Sequence, residues 1–344
     1  MSIGNLASLT TLPVDRLEPW LEPLVPELRP PLASTLIAGG RSNLTYQVGD
    51  AMGHRVVLRR PPARIEVQGA HDIAREFRIQ QALSRRSHVR VAGQIAFCDD
   101  ENVIGVPFSV MEFVDGTIVR DTASAAALDE PVRRRAGHAL VDQLIELHRA
   151  SLAEMGLADL GRPNGYLGRQ LRRWSAQIHG ESGTAALLRE GQLRLARLMP
   201  RQQRTALLHG DFRLDNVVLS ETGGVRAVLD WELSTQGDPL ADLGWLMLYW
   251  QPEQRLAAVL PSGSELPGFP AAADLTARYA AGSGLDLTDL PYYIAFAAWR
   301  LAVITLGVAS RYRRGGRAGS ELAVDELTDD AHVLAESALS RLGT

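Results

Sequence analysis

The chain contains no lysine, and all 36 of its basic residues are arginine. Any cation it offers to an anionic group is therefore a planar, bidentate guanidinium and not a compact point charge. Cysteine is almost as scarce. Cys98 stands alone, which excludes an internal disulfide and suits a reducing, cytoplasmic compartment. The N-terminus lacks a charged stretch followed by an apolar core, so no signal peptide is expected. A net charge of −4 with no clustered basic face excludes the electrostatic footprint of a nucleic-acid binder. The short arginine runs at 133–135 and 311–317 read as solvated surface. Long uncharged apolar runs are missing too. Residues 292–310 come nearest, but Arg300 interrupts them, and a lone charge there is expensive in lipid. A buried helix of a globular lobe is expected, with no membrane partner.

What is present is the composition of an ordinary globular protein, 46% apolar and 22% charged, and 344 residues favour two units over one. A short helix is expected around 15–21, ended by Pro26, Pro30 and Pro31. After Gly39-Gly40, two β-rich runs at 44–48 and 55–59, joined by a turn, read as a hairpin with a glycine loop at its entry. Residues 71–83 carry Ile73, Phe77 and Leu83 at helical spacing, with Glu76 beside the apolar stripe. Runs at 95–97 and 107–111 read as strands. After Gly116 helical patterning dominates, beginning with an amphipathic helix over 131–150 with proline at its start. The exception is 207–230, where short apolar runs flank polar turns. The expected fold class is α+β, with a small antiparallel-sheet N-terminal lobe (1–115) and a larger helical C-terminal lobe (116–344).

The sharpest motif is His209-Gly210-Asp211-Phe212-Arg213-Leu214-Asp215-Asn216, followed fourteen residues beyond Asn216 by Asp230. Asp211 is placed to accept a hydrogen bond from a substrate hydroxyl. Asn216 supplies a neutral oxygen and Asp230 a charged one, a pair that suits hard Mg²⁺ held together with ATP oxygens. Asp211, Asp215 and Asn216 are also ordinary turn formers, so the loop alone does not settle the chemistry. Asp230 strengthens it, since it ends the apolar run 225–229. Asp238 reads as an N-cap with Pro239 at the first helical position. Asp242 is either a first-turn carboxylate or a brace for the loop backbone. A metal hydrolase built on His209, Asp211 and Asp230 is disfavoured by the lack of further histidines at ligand spacing.

The stretch 209–242 resembles the catalytic core of the aminoglycoside phosphotransferase family, the small-molecule branch of the protein-kinase-like fold. That resemblance implies a bilobal kinase-like architecture and transfer of the γ-phosphoryl group of ATP, with Mg²⁺, onto a hydroxyl of a small molecule. It implies Asp211 as catalytic base, Arg213 as a cation near the γ-phosphate, and Asn216 and Asp230 as Mg²⁺ ligands. In the N-terminal half, Gly40, Ser42 and Asn43 resemble a phosphate-approaching loop, and 56–59 resembles the strand on which kinases carry a lysine. Arg59 stands in that lysine's place, with Arg60 a competitor on the opposite face. Glu76 falls where its ion-pair partner belongs. Residues 107–116 resemble the inter-lobe hinge, with adenine recognition through backbone groups of Glu112 and Val114. The stretches 166–174 and 299–315 are similar to phosphotransferase domains found with acyl-CoA dehydrogenases, which implies a hydroxyacyl-type acceptor. The alternative is a nucleotide-binding regulator of the same fold that no longer transfers phosphate. His148 is expected to be a packed, hydrogen-bonded helix residue, and Arg169, Trp174 and Arg300 to serve either packing or substrate.

Overall fold

The computed structural model describes residues 12–38, 43–62, 72–260, 262–315 and 320–343. The chain divides into two units, one of Met1–Asp115 and Arg226–Glu232, the other of Gly116–Val225 and Leu233–Thr344.

In the first unit, α1 (Val14–Leu21) precedes β1 (Ala33–Ala38), β2 (Leu44–Gly49) and β3 (Arg55–Arg60). Next come α2 (Ile73–Arg86), β4 (Gln94–Cys98), the short α3 (Glu101–Ile104) and β5 (Phe108–Glu112). The strands form one antiparallel sheet in the order β1-β2-β3-β5-β4. Alternation places Tyr46 and Val48 of β2 and Val56 and Leu58 of β3 on one buried face, with Tyr46 opposite Leu58 in register. Leu17 and Leu21 of α1 pack into the same cluster, and Trp20 meets Phe108 edge-on at 4.8 Å between ring centroids. Each fully buried leucine there contributes roughly 1.5–3 kcal/mol. The cluster thus anchors β3 in a single register, and the register decides which way its arginines point.

The second unit begins with α4 (Thr122–Ala126), α5 (Glu130–Arg149), α6 (Tyr166–Ser175) and α7 (Gly183–Arg197). The strand β6 (Ala206–Leu208) leads into the loop 209–216, which ends in a 3₁₀ turn, Leu214–Asn216. After β7 (Val217–Leu219), β8 (Val225–Val228) carries the chain into the first unit. It returns through β9 (Thr235–Gly237), which pairs antiparallel with β6. Helices α8 (Leu240–Tyr249), α9 (Gln254–Ala257), α10 (Ala272–Ser283), α11 (Leu290–Gly315) and α12 (Ser320–Arg341) complete it. All residues of α8 but the last are buried, as its near-continuous apolar sequence requires. A Cβ on Gly244 would come within 2.6 Å of the Tyr293 backbone, so glycine is what lets α8 and α11 cross closely. Helix α11 is long and apolar enough to span a membrane by length and composition, yet it buries Phe296, Ala298 and Trp299 against its neighbours, α8 and α12 among them.

Two features differ from the sequence reading. Strands β1 and β9 are additional, because runs as short as Thr235–Gly237 have no periodicity to detect. Residues 226–232 belong with the sheet unit, where the Val228 N–H donates to the Arg90 carbonyl at 2.7 Å. Gly40 and Ser42 of the expected phosphate loop, like His71, lie outside the described residues.

Candidate active site

Strand parity separates the two arginines at the end of β3. Arg60 shares the face of Leu58, is 5% exposed, and donates to the Tyr46 hydroxyl at 3.0 Å while stacking over that ring. Arg59 points the other way, into carboxylates. Its Nη2 lies 2.6 Å from Asp230 Oδ1 and 3.5 Å from Glu232 Oε2, and its Nε lies 3.1 Å from Glu76 Oε2. Burial works against this guanidinium's charge, but Glu76 first, then Asp230 and Glu232, hold its pKa above the ordinary value. Glu76 comes from the first turn of α2, whose start is capped by the Asp72 carboxylate on the Arg75 N–H. Its side chain is 3% exposed. Asn43 Nδ2 donates to Glu76 Oε2 at 3.4 Å and Gln80 Nε2 to Oε1 at 3.5 Å.

Glu76 is pushed up to about 7, by burial before anything else, and Arg59 only partly offsets this. The native state therefore binds a proton that the unfolded chain releases at the ordinary glutamate value of 4.5. Stability is greatest below pH 4.5 on this account and falls as pH rises toward 7, by about 3 kcal/mol in all, and is flat above. Glu76→Gln removes this component. The wild-type denaturation free energy, measured against Glu76→Gln in urea between pH 5 and 8, is expected to decline with pH. A difference independent of pH would show that Glu76 is ionised throughout.

Asp230 sits at φ +62°, in the left-handed region, at a cost of about 1 kcal/mol that aspartate tolerates better than most residues. The buried Trp231 beside it donates Nε1 to the Val228 carbonyl at 2.9 Å and locks the turn. Asp230 is about one-third exposed, and its Oδ2 has no hydrogen bond among the described residues. In β5, the Glu112 N–H is committed to the Gly93 carbonyl at 2.8 Å. The N–H and C=O of Val114 make no backbone hydrogen bond among the described residues.

In the second unit, the loop 209–216 is held from behind by Asp242. One carboxylate oxygen accepts the His209 N–H at 2.6 Å and the other the Gly210 N–H at 2.9 Å. His148 Nε2 lies 3.4 Å from the same Asp242, and its Nδ1 is 2.7 Å from the Tyr279 hydroxyl. Burial alone would raise the Asp242 pKa; the His148 hydrogen bond and charge, with those of His209, hold it below the usual carboxylate value. Gly210 has φ +90°, and a Cβ there would meet the Leu233 carbonyl at 2.8 Å, so the turn demands glycine. The Asp211 N–H donates to His209 Nδ1 at 3.2 Å.

Asp211 is thereby presented with its carboxylate gripped. Asn216 Nδ2 donates to Oδ2 at 3.1 Å and to the Asp211 carbonyl at 2.8 Å, leaving Asn216 Oδ1 without a hydrogen bond among the described residues. Trp245 Nε1 donates to Oδ1 at 2.7 Å, and Arg213 Nε lies 3.1 Å from the same oxygen. Arg213 also pairs with Asp215 at 3.0 Å and lies over the Tyr249 ring. Asp238 caps α8 as expected, accepting from the Leu240 N–H at 3.1 Å, and takes a bond from the Tyr293 hydroxyl at 2.7 Å. Of the arginines left open by the sequence, Arg169 holds loop carbonyls at 162 and 164, while Arg300 donates to the Gly210 carbonyl at 2.6 Å. Trp174 bonds Gln170 one helical turn away.

The structure brings Arg59, Glu76 and Asp230 together within the first unit, and Asp211, Arg213 and Asn216 within the second. Glu232, Trp245 and the Arg300–Gly210 bond were not anticipated as parts of these clusters. The Leu-Asp-Trp-Glu string (229–232) hinted at Glu232. Nothing in a single sequence marks a tryptophan thirty-four residues from Asp211 as its donor. Among the described residues no three His, Cys, Asp or Glu side chains gather as a metal-binding group.

A five-stranded antiparallel sheet, a helical unit and a loop in which aspartate and asparagine grip one another define a protein-kinase-like fold, and the comparisons agree. A model of the phosphotransferase enzyme family matches residues 34–282. A Ralstonia eutropha crystal structure, provisionally called an aminoglycoside phosphotransferase, superposes with a TM-score of 0.78 at 29% identity, covering 95% of this chain and 98% of that one. Choline kinase from Cryptosporidium parvum shares the fold at 12% identity, with a TM-score of 0.62 over 94% and 95% of the two chains. Mouse acyl-CoA dehydrogenase family member 10 is 34% identical over 312 residues, 88% of this chain and 29% of that protein. Human acyl-CoA dehydrogenase family member 11 is 33% identical over 289 residues, 82% and 36% of the two. This chain thus spans about a third of the length of these relatives. It belongs to the phosphotransferase enzyme family, the family of the aminoglycoside phosphotransferases and the small-molecule branch of the kinase-like fold. Its curated relatives carry the acyl-CoA dehydrogenase name, in keeping with the branch that the sequence resembles.

Proposed function

We propose that the chain transfers the γ-phosphoryl group of Mg·ATP to the hydroxyl of a small molecule of hydroxyacyl type. The observation that carries this reading is the Asp211 carboxylate, fixed by Asn216 and Trp245 on a loop whose backbone is itself clamped by Asp242. A carboxylate so held is suited to orient an acceptor hydroxyl and take its proton. Oxygen atoms fit to hold Mg²⁺ are present, since Asp230 Oδ2 and Asn216 Oδ1 carry no hydrogen bond among the described residues. Both are hard donors, and Mg²⁺ needs only one or two of them when nucleotide oxygens and water complete its shell. The ion would supply neutralisation of phosphate charge. Arg59 is the candidate phosphate cation, oriented by Glu76 in the absence of any lysine. Asn43, 3% exposed with its Oδ1 lacking a hydrogen bond among the described residues, is the candidate for approaching the phosphates from the glycine loop. The open N–H of Val114 and the C=O of Glu112 suit an adenine edge.

The acceptor class is favoured by charge. Arg213 and Arg300 stand beside the catalytic loop, and Arg120 lines a small cavity with Arg213, Asp215, Tyr249 and Ser262, so that three guanidiniums outnumber the carboxylates of Asp211 and Asp215. Such a setting repels polycations and suits an acceptor with an anionic or neutral acyl portion. The test is mass spectrometry of hydroxy acids, hydroxyacyl-CoA esters and an aminoglycoside, each incubated with the protein and Mg·ATP. Addition of one phosphate to a hydroxyacyl compound is expected, and phosphorylation of the aminoglycoside alone would overturn the acceptor assignment. The second reading, a nucleotide-binding regulator, draws on Arg59, already bound to three carboxylates where kinases keep a lysine. Calorimetric binding of Mg·ATP with no phosphorylated product across the panel would decide for it.

A further inference from the structure

Two aromatic rings and two guanidinium groups form a ladder beside Asp211. Arg300, 6% exposed on α11, lies with its guanidinium carbon 4.1 Å from the centroid of Trp245. Trp245 tilts against Tyr249 at 5.5 Å, and Arg213 caps Tyr249 at 4.8 Å. Trp245 is 4% exposed, so its N–H needs an internal acceptor, and it has one in Asp211 Oδ1 at 2.7 Å. Arg300 meanwhile ties the Gly210 carbonyl, next in the chain to Asp211. The ladder thus reaches the loop at two points, one on the backbone and one on the carboxylate.

The two oxygens of Asp211 have unequal surroundings. Oδ1 faces both Trp245 Nε1 and Arg213 Nε, while Oδ2 faces Asn216 Nδ2 alone. Each carboxylate oxygen offers about two acceptor positions. Oδ1 thus carries the indole donor and, as an ion pair without a hydrogen bond, the Arg213 guanidinium crowding its remaining side, and the open position is on Oδ2. Resting on the phosphotransfer reading, we infer that Trp245 and Arg300 are positioning residues that hold Asp211 so that Oδ2 receives the acceptor hydroxyl. The acceptor oxygen bonds to the γ-phosphorus as the bond from that phosphorus to the β,γ-bridging oxygen breaks. ADP leaves with the electron pair, and the hydroxyl proton passes to Oδ2 and then to solvent. Arg300 touches none of these atoms and acts through the indole and the Gly210 carbonyl. A cation over the ring also draws electron density from the indole and strengthens its N–H as a donor.

Trp245→Phe keeps an aromatic ring beneath Arg300 and removes the N–H together with the second ring of the indole. A hydrogen bond to a charged group is worth roughly 1.5–3 kcal/mol, or about 10–100-fold in rate. Turnover with water as acceptor, followed as ADP release from Mg·ATP, is expected to lose at least about tenfold in kcat. KM for ATP is expected to stay within about twofold, because positioning acts in the transition state. Arg300→Met is expected to lower kcat in the same sense, and the double variant to lose much less than the product of the two effects. The indole N–H resonance of Trp245, assigned by its disappearance in Trp245→Phe, is expected to shift in Asp211→Ala. A kcat unchanged per folded molecule, or an indole resonance indifferent to Asp211→Ala, overturns the inference. Should the wild type release no ADP and phosphorylate no acceptor, the phosphotransfer reading fails. The resonance then decides by itself whether Trp245 holds Asp211.

Discussion

Asp211→Ala is expected to lower phosphoryl transfer to any accepted hydroxyl compound by at least about two orders of magnitude, the usual contribution of a general base. Binding of Mg·ATP is expected to survive, because Arg59, Glu76 and Asp230 form a cluster in the other unit that does not involve Asp211. The fold is expected to survive as well, at a cost of about 1–3 kcal/mol for the buried Trp245 N–H left without its acceptor. The loop backbone is held by Asp242 and Arg300 through the N–H groups of His209 and Gly210 and the Gly210 carbonyl, none of which the substitution touches. Asn216 keeps its bond to the carbonyl of residue 211, and Arg213 keeps Asp215. The variant should therefore separate chemistry from binding. Calorimetry gives a near-normal nucleotide affinity, and product analysis gives almost no transfer. Equal transfer by variant and wild type would remove Asp211 from the role of base.

Asp242→Ala should have the largest effect on stability. The carboxylate is 3% exposed and serves two backbone N–H groups and His148 at once. Each buried donor left without an acceptor costs about 1–3 kcal/mol, and breaking a buried charged network typically costs about 3–5 kcal/mol. Set against a total stability of about 5–15 kcal/mol, that is enough to loosen or melt the helical unit. Asp242→Asn is the finer probe. It preserves shape but offers one oxygen where two N–H groups need acceptors, and its amide opposes the second donor. The acid behaviour follows from the sign of the shift. Asp242 has a pKa in the folded state below the ordinary aspartate value of 3.8, so its contribution is fully present above pH 3.8 and fades as pH falls through the lower folded value. Urea denaturation between pH 3 and 7 should show wild type losing this component at the acid end, and Asp242→Asn lacking it at every pH. A stability loss below about 1 kcal/mol for Asp242→Ala would mean that the loop is braced by something else.

Much of this was legible in the chain itself, for identifiable reasons. The loop 209–216 declares itself because its residues are contiguous and their types are rare in combination. Strand parity alone required Arg59 and Arg60 to face opposite ways, since side chains alternate along a strand. The absence of lysine dictated that any phosphate cation be a guanidinium. Which arginine turns toward the carboxylates was decided by tertiary packing. Leu58 and Val56 fill the core with Tyr46 and Val48, and their burial drags Arg60 to the same side and leaves Arg59 for Glu76, Asp230 and Glu232. The role of Asp242 was open for a similar reason. A first-turn aspartate looks the same in sequence whether it faces water or two buried N–H groups. Trp245 and Arg300 were beyond reach altogether. They lie 34 and 89 residues from Asp211, and only the close crossing of α8 and α11 at Gly244 brings them to the loop. Local chemistry is written in neighbouring residues, whereas the support that aims it comes from helices distant in sequence, and burial brings those together only in the folded chain.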